Sequence, residues 1–219
     1  MFFYCRYMGY YKKLGIFEKM GIVQSLQTWW LGQSWLEIAG VISGLLCVYL
    51  AAKNVIWNWP LAIISVSIYI FIFYETNLFA DMGLQFYFLV VNIYGWYYWS
   101  QKPATQQKTP VVSVKKREAL LSLAAIIAFT FLLGSLLKHT TASYPYIDSF
   151  CTACSLIAQF FMARKVLQNW LLWVFVDIIY VGVYLFKGLH LTAVMYAIYV
   201  VIALIGYFDW KKEYQKQTT

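Results

Sequence analysis

The stretch QNWLLWVFVDIIYVGVYLF, Gln168–Phe186, decides the fold class of this 219-residue chain. It is apolar for nearly the 20 residues that a helix needs to cross a bilayer. Asp177 nevertheless lies near its middle, with tryptophans before the carboxylate and tyrosines after it. A charged group at membrane depth is costly and is generally retained for a function. The stretch therefore predicts a membrane-spanning helix with a candidate site inside it.

The composition of the whole chain indicates an integral membrane protein. Hydrophobic residues make up 62% of the chain and charged residues only 12%, whereas a soluble domain has about 25% charged residues. The net charge of +8 comes from Lys and Arg beside the apolar runs, which indicates topology and not nucleic-acid binding. The pattern Cys151–Cys154 lies in an apolar segment, where packing is the simpler interpretation. The two histidines are remote from each other, so no metal site is predicted.

Apolar segments divide the chain into seven predicted spans. The first 33 residues mix aromatic rings with lysines, which predicts an interfacial amphipathic helix over residues 1–33. The predicted spans are Ser34–Ala52, Trp59–Glu75, Phe79–Ser100, Ala119–Lys138, Tyr146–Ala163, Trp170–Lys187 and Leu189–Asp209. With seven spans, 11 basic residues fall on the C-terminal side and 6 on the other. The positive-inside rule then predicts an external N-terminus and a cytoplasmic C-terminus.

The second half of the chain repeats the first at a constant offset of 111 residues. The equivalent pairs include Asn58 with Asn169, Trp59 with Trp170, Gly95 with Gly206, and Trp99 with Trp210. The pattern predicts an all-α protein of two parallel three-helix repeats joined by a linker helix, a 3+1+3 layout. The predicted units are residues 34–101 and 146–210 for the repeats, 102–145 for a cytoplasmic link with the linker helix, and 211–219 for a C-terminal tail. Transporters of repeat design bind their substrate near the midplane, between the repeats.

Polar and aromatic side chains at membrane depth are the candidate binding residues. Four of them follow helical spacing on the sixth span and share one face. The candidate set is Gln85, Asn92, Trp173, Asp177, Tyr180, Tyr184, Trp59 and Tyr196. A carboxylate among rings suits a planar cation, and the amides suit a carboxamide or sugar hydroxyls. A purely structural role, bonding helix to helix, stays open for Asn92, Gln159 and Asp177.

The two halves differ at several of these positions. Asp177 falls on Val66, and Asn92 falls on Ala203. Residues of the scaffold match, while polar residues at depth do not. An asymmetric ligand bound between the two repeats would require this difference.

Two long stretches resemble the PnuC family of bacterial nicotinamide riboside transporters. They are NWPLAIISVSIYIFIFYETNLFADMGLQFYFLVVNIYGWYYW and NWLLWVFVDIIYVGVYLFKGLHLTAVMYAIYVVIALIGYFDWKK, and the resemblance covers about Trp35 to Lys212. It implies a 3+1+3 fold related to the SWEET sugar transporters, a homotrimer in the bacterial inner membrane, and nicotinamide riboside as substrate. It also implies facilitated diffusion drawn by cytoplasmic phosphorylation of the riboside. No cofactor is expected, and the chain has no G-x-x-x-x-G-K-[ST] loop for ATP.

Other functions stay open at this stage. The same fold could carry another ring-bearing vitamin such as thiamine or riboflavin. A membrane enzyme would need a nucleophile, a base or metal ligands clustered at one depth, and the sequence offers no such cluster. A sensor or scaffold would predict a soluble effector domain. We therefore expect a transporter and not an enzyme.

Overall fold

The computed structural model describes residues 35–75, 79–101, 109–139, 144–187 and 189–218. These residues form seven α-helices and no strand, which confirms the predicted all-α class. The amphipathic helix predicted over residues 1–33 lies outside the described residues. The helices are α1 (Trp35–Ala52), α2 (Asn58–Glu75), α3 (Phe79–Ser100), α4 (Lys116–Leu137), α5 (Pro145–Ala163), α6 (Asn169–Phe186) and α7 (His190–Thr218).

The helix bounds recur at the offset of 111 residues. Helices α2 and α6 begin and end at equivalent residues, α1 and α5 end at equivalent residues, and α3 and α7 begin at equivalent residues. The turns before α2 and α6 also match. Asn58 Nδ2 donates to the Val55 carbonyl at 2.7 Å, and Asn169 Nδ2 donates to the Val166 carbonyl at 2.7 Å. The repeated Asn–Trp pair thus belongs to a repeated helix start.

Five of the described helices are long and apolar enough to cross a membrane by length and composition: α2, α4, α5, α6, and α7 over Thr192–Gln217. In α1 the stretch that qualifies as apolar is shorter, Ile42–Ala52. Helix α3 is 22 residues long, but its tyrosines, tryptophans and amides lower its mean hydropathy. The chain is a multi-pass membrane protein.

Helix packing joins the two halves by reciprocal contacts. Within each half, the middle helix packs against the other two: α2 against α1 and α3, and α6 against α5 and α7. Between the halves, α1 packs against α7, and α3 packs against α5. Helix α4 packs mainly against α5, and many of its leucines are exposed. The space between the halves is therefore bounded by α1 and α7 on one side and by α3 and α5 on the other.

A tryptophan fills the same place in each half because a glycine makes room for it. The Trp59 ring lies against Gly95, and the Trp170 ring lies against Gly206. A Cβ atom added at Gly206 would lie 2.7 Å from Trp170 Cε2, which is closer than packed atoms allow. Both tryptophans are 0% exposed. The matched glycines therefore allow close packing of the tryptophan between helices.

Residues Thr109–Lys115, here called the strap, lie across the α5–α6 turn. Val112 exchanges two backbone hydrogen bonds with this turn, from Val112 N to Lys165 O at 2.9 Å and from Leu167 N to Val112 O at 2.8 Å. The Lys165 ammonium is 2% exposed, donates to the Thr109 carbonyl at 2.8 Å, and lies over the Trp99 ring. The strap thereby ties the link between the two halves to a turn of the second half.

Helix α7 extends beyond the predicted end of the last span. The prediction ended the span at Asp209 and placed a tail at residues 211–219, whereas the helix continues to Thr218. The added residues include Lys, Glu and Gln, which favour helix. The apolar pattern marks the part of a helix that lies in lipid, and a helix can continue past that boundary into water.

Candidate functional site

A cavity of about 90 Å³ lies between the two halves. Its lining includes six pairs of positions that are equivalent in the repeat. The pairs are Val48 with Gln159, Ala51 with Met162, Ala62 with Trp173, Val66 with Asp177, Phe88 with Tyr199, and Asn92 with Ala203. The cavity therefore lies on the axis that relates the halves. Each of these pairs combines two different residue types, so a nearly symmetric scaffold encloses an asymmetric site.

Asp177 of α6 is the lining residue with the most unsatisfied hydrogen-bonding atoms. It is 1% exposed, and neither carboxylate oxygen accepts a hydrogen bond within the described part of the chain. Buried polar groups in folded proteins are nearly always bonded. An uncompensated buried carboxylate also carries a large desolvation cost. A cationic group in the cavity would offset that cost.

Two amides from opposite halves meet in the cavity. Gln159 Nε2 of α5 donates to Asn92 Oδ1 of α3 at 2.7 Å. The bond leaves the Asn92 amino group and the Gln159 carbonyl oxygen for other partners. Gln85 lies two helical turns before Asn92 on the same face of α3. It is 1% exposed and also lines the cavity. The three amides supply the donors and acceptors that a carboxamide or hydroxyl groups can use.

Aromatic rings complete the lining. Trp170 and Trp173 of α6 and Tyr199 of α7 all line the cavity. The indole N–H groups of Trp170 and Trp173 have no hydrogen-bond partner among the described residues. Trp173 is 7% exposed, so its ring lies in a largely desolvated place. Ring faces attract cations most strongly where water is excluded.

Three of the predicted binding residues form a separate tyrosine stack. Tyr180, Tyr184 and Tyr196 have ring centroids 5.0 to 5.7 Å apart and interplanar angles of 10° to 29°. They do not line the cavity. Tyr180 and Tyr184 share a helix face with Asp177, but they lie about 4.5 Å and 10 Å further along the helix axis, at about 1.5 Å per residue. The stack instead joins α6 to α7.

Trp59, the remaining predicted residue, also lies outside the cavity lining. Its ring lies against Gly95 and makes an edge contact with Trp99, with centroids 5.2 Å apart. Its repeat equivalent, Trp170, does reach the cavity. The structure therefore brings together Gln85, Asn92, Trp173 and Asp177 of the predicted set.

Several lining residues were not in the predicted set, among them Gln159, Trp170 and Tyr199. The repeat contains the signal that could have found Gln159 and Tyr199, but not Trp170, whose equivalent is Trp59. Gln159 falls on Val48 and Tyr199 falls on Phe88, so each is a polar residue at depth whose equivalent is apolar. The same difference singled out Asp177.

The charge of the lining is one-sided. Among the lining residues that the structure describes, Asp177 is the only acidic one, and none is lysine or arginine. Phosphate groups are usually bound by clusters of basic side chains, and the described lining residues include no such cluster. The cavity suits a small cation with polar substituents better than an anion.

The chain is similar to a family of known transporters. The family described as "Nicotinamide mononucleotide transporter" matches residues 34–212. The chain is 31% identical over 205 residues to the nicotinamide riboside transporter PnuC of Escherichia coli K12, covering 81% of this chain and 85% of that protein. It is 27% identical over 180 residues to the riboflavin/roseoflavin transporter RibM of Streptomyces davaonensis, covering 80% and 84%.

A solved structure shares the fold. The crystal structure of the vitamin B3 transporter PnuC superposes with a TM-score of 0.66 and 26% identity, covering 89% of this chain and 88% of that one. The family match, the identity to the Escherichia coli protein and the shared fold agree with the resemblance seen in the sequence, and the relatives are transporters and not enzymes. The chain belongs to the PnuC family of membrane transporters.

Proposed function

We propose that this protein carries nicotinamide riboside across the bacterial inner membrane. The observation that carries the proposal is the Asp177 carboxylate, which is buried at the cavity and has no hydrogen-bond partner among the described residues. The nicotinamide ring of the riboside is a permanent cation whose charge does not depend on pH, and a buried carboxylate can serve as its counter-charge. Relatives named as nicotinamide riboside transporters support the same substrate.

The other parts of the riboside match the rest of the lining. Trp173 offers a ring face to the pyridinium by stacking and cation–π attraction. The Asn92–Gln159 pair and Gln85 offer donors and acceptors to the carboxamide and the ribose hydroxyls. We propose Gln85, Asn92, Gln159, Trp173 and Asp177 as the binding residues. Tyr180, Tyr184, Tyr196 and Trp59 support them from outside the cavity.

The lining favours the riboside over the mononucleotide. The added phosphate would bring up to two negative charges into a cavity where the only charged residue among the described lining residues is acidic. We therefore expect the mononucleotide to bind at least about 100-fold more weakly, the equivalent of about 3 kcal/mol. The expected preference follows from the charge of the cavity and not from its shape.

Transport in this proposal is facilitated diffusion by alternating access. The two three-helix units, α1–α3 and α5–α7, rock against each other about the cavity, and α4 serves as the linker between them. The equivalent helix bounds support this 3+1+3 division. Phosphorylation of the riboside in the cytoplasm then prevents its return.

The proposed orientation places the C-terminus in the cytoplasm and the N-terminus outside. The excess of basic residues on the C-terminal side supports it. Protease digestion of a C-terminal tag in intact and in permeabilised cells tests it. Protection of the tag in intact cells is expected, and cleavage in intact cells would reverse the orientation.

The homotrimer implied by the family resemblance belongs to the same proposal. Each chain has a mass of 25.6 kDa. Native mass spectrometry of the detergent-purified protein should therefore give three times that mass. A monomer or dimer as the main species would remove the trimer from the proposal and leave the site within one chain unaffected.

A second candidate substrate is riboflavin, because a relative of similar coverage is named as a riboflavin/roseoflavin transporter. Thiamine, a ring-bearing cation, is a third. Calorimetric titration of the purified protein with nicotinamide riboside, its mononucleotide, nicotinamide, thiamine and riboflavin distinguishes these candidates. The riboside should bind most tightly. Binding of riboflavin or thiamine without binding of the riboside would refute the proposed substrate.

A further inference from the structure

Two tryptophans cross from one half of the molecule to the other at the end where the α1–α2 and α5–α6 turns lie. Trp99 Nε1 of α3 donates to the carbonyl oxygens of Ala163 at 3.1 Å and Met162 at 3.3 Å, at the end of α5. Trp210 Nε1 of α7 donates to the carbonyl oxygen of Ala51 at 3.1 Å, at the end of α1. We call these five residues the cross-brace.

The cross-brace is a reciprocal device. Trp99 is equivalent to Trp210, and Met162 is equivalent to Ala51, so each half supplies a tryptophan and receives one. The two rings also touch, with centroids 5.6 Å apart. Both are nearly inaccessible, at 5% and 0% exposure. A buried indole N–H that loses its acceptor is left unsatisfied, so each bond resists separation of the halves.

The cross-brace lies at the boundary of the cavity. Ala51 and Met162, whose carbonyl groups accept the tryptophan bonds, are themselves lining residues of the cavity. A ligand that leaves the cavity toward the turns has to pass the ends of α1 and α5. The bonds fix those ends to the opposite half, so they resist opening of the cavity toward the turns.

Polar contacts form a second layer outside the cross-brace. The Lys53 ammonium contacts Asp209 at 2.8 Å, and Asn54 Nδ2 donates to Glu213 at 2.6 Å. Both contacts join the α1–α2 turn to α7 of the other half. The hydrogen bond to Asp209 raises the pKa of Lys53, as expected for a lysine paired with a carboxylate. The second layer therefore reinforces the same closure.

We propose that the cross-brace is the gate on this side of the transporter: the three hydrogen bonds from its two tryptophans to the carbonyl groups must break for the cavity to open toward the α1–α2 and α5–α6 turns. The gate rests on the proposed transport function. In the proposed orientation it faces the cytoplasm. The gate opens by separating α3 from α5 and α7 from α1, which are the contacts between the halves.

Cys47 provides a reporter of opening because it lines the cavity. A background variant, Cys5→Ser/Cys151→Ala/Cys154→Ala, leaves it as the single thiol, and Cys47→Ala in that background gives the blank. A membrane-impermeant maleimide is added to right-side-out and to inverted vesicles. The rate of Cys47 modification from each side measures access to the cavity from that side.

The double variant Trp99→Phe/Trp210→Phe keeps an aromatic ring at both positions and removes both N–H donors. Modification of Cys47 from the turn side should become about 5- to 150-fold faster, as expected for the loss of two neutral hydrogen-bond donors. Trp96→Phe on α3, where the ring is 44% exposed and outside the cross-brace, is the matched control and should not change the rate. An unchanged rate, or an equal increase from both sides, would overturn the proposal.

A second pair of variants decides the matter if the tryptophan variants fail to fold. Asp209→Asn and Glu213→Gln change partly exposed residues of α7 and weaken the outer layer. Together they should raise the modification rate from the turn side by about 2- to 5-fold, and no change would count against the gate. The readout needs no ligand. A failure of riboside binding would therefore refute the substrate without affecting this test.

Discussion

Replacement of Asp177 by asparagine tests the role of the buried carboxylate. The change keeps the shape of the side chain and removes its charge. In the proposal the carboxylate is the counter-charge of the pyridinium ring, so riboside affinity should fall. The empty protein should not be destabilised, because neither carboxylate oxygen has a hydrogen-bond partner among the described residues.

The size of the effect follows from burial. Asp177 is 1% exposed, so bulk water does not screen the pair fully. At an effective dielectric constant of about 20 and a charge separation of about 5 Å, the attraction is about 3 kcal/mol. Loss of that term corresponds to an affinity about 100-fold lower. Relief of the desolvation cost of the buried charge should leave the melting temperature of the empty protein unchanged or higher.

Calorimetry of the riboside and of its neutral, reduced-ring analogue gives the measurement. The variant should lose affinity for the cationic riboside and lose much less for the neutral analogue. Val66→Asn is the matched control, because it places the same amide at the equivalent cavity position of the other half. It should not reproduce the selective loss for the cation.

A structural role of Asp177 predicts the opposite pattern. If the carboxylate braces a neighbouring helix, Asp177→Asn should lower the melting temperature and weaken both ligands equally. That result would refute the counter-charge argument.

Two further predictions concern packing and stacking. Trp173→Ala should weaken riboside binding by about 10- to 30-fold, because a desolvated cation–π contact contributes about 2 kcal/mol. Trp173→Phe should keep most of the affinity. An equal loss in both variants would show that ring stacking does not contribute to riboside binding. Gly95→Ala should lower the melting temperature, because its Cβ would overlap the Trp59 ring and overpacking costs about 1 to 3 kcal/mol. Gly83→Ala on the same helix is the control, because a Cβ atom at Gly83 would have no atom within 4 Å. It should leave the melting temperature unchanged, or raise it because alanine favours helix more than glycine does. A loss of stability in both variants would contradict the packing argument.

Much of the fold was predictable because the chain contains an internal repeat, so that each half can be compared with the other. The offset of 111 residues aligned the Asn–Trp pairs, and the structure repeats the helix bounds and the asparagine hydrogen bonds at that offset. Asn54 and Lys165, also equivalent, both adopt a φ of 55°. The matched Asn–Trp pairs therefore mark equivalent helix starts, as expected for positions under the same local geometry in both halves.

The site was predictable only in part. Helical spacing in the sequence shows which residues share a face of the helix, but it does not show at which position along the helix axis the cavity lies. Trp173 and Asp177 lie one turn apart and both reach the cavity. Tyr180 and Tyr184 continue the same face beyond it and stack with Tyr196 instead. Position along the helix axis depends on how neighbouring helices are offset, and a single sequence does not contain that offset.

The contribution of Gln159 required the structure for a different reason. Its spacing on α5 could not show that it meets Asn92, because the two residues are far apart in the chain and lie on helices of different halves. The 2.7 Å hydrogen bond between them arises from the contact of α3 with α5. Contacts between the repeats are the part of such a fold that is hardest to predict from a single sequence.

Uptake of labelled nicotinamide riboside into proteoliposomes, without ATP or an ion gradient, tests the central claim most directly. The proposal predicts that the internal concentration rises to the external one and stops there. It also predicts that a riboside kinase with ATP enclosed in the vesicles drives label past that level. The Asp177→Asn protein should show slow uptake at low riboside concentration. Uptake no faster than in protein-free vesicles would contradict the account, and so would accumulation above the external concentration without the kinase.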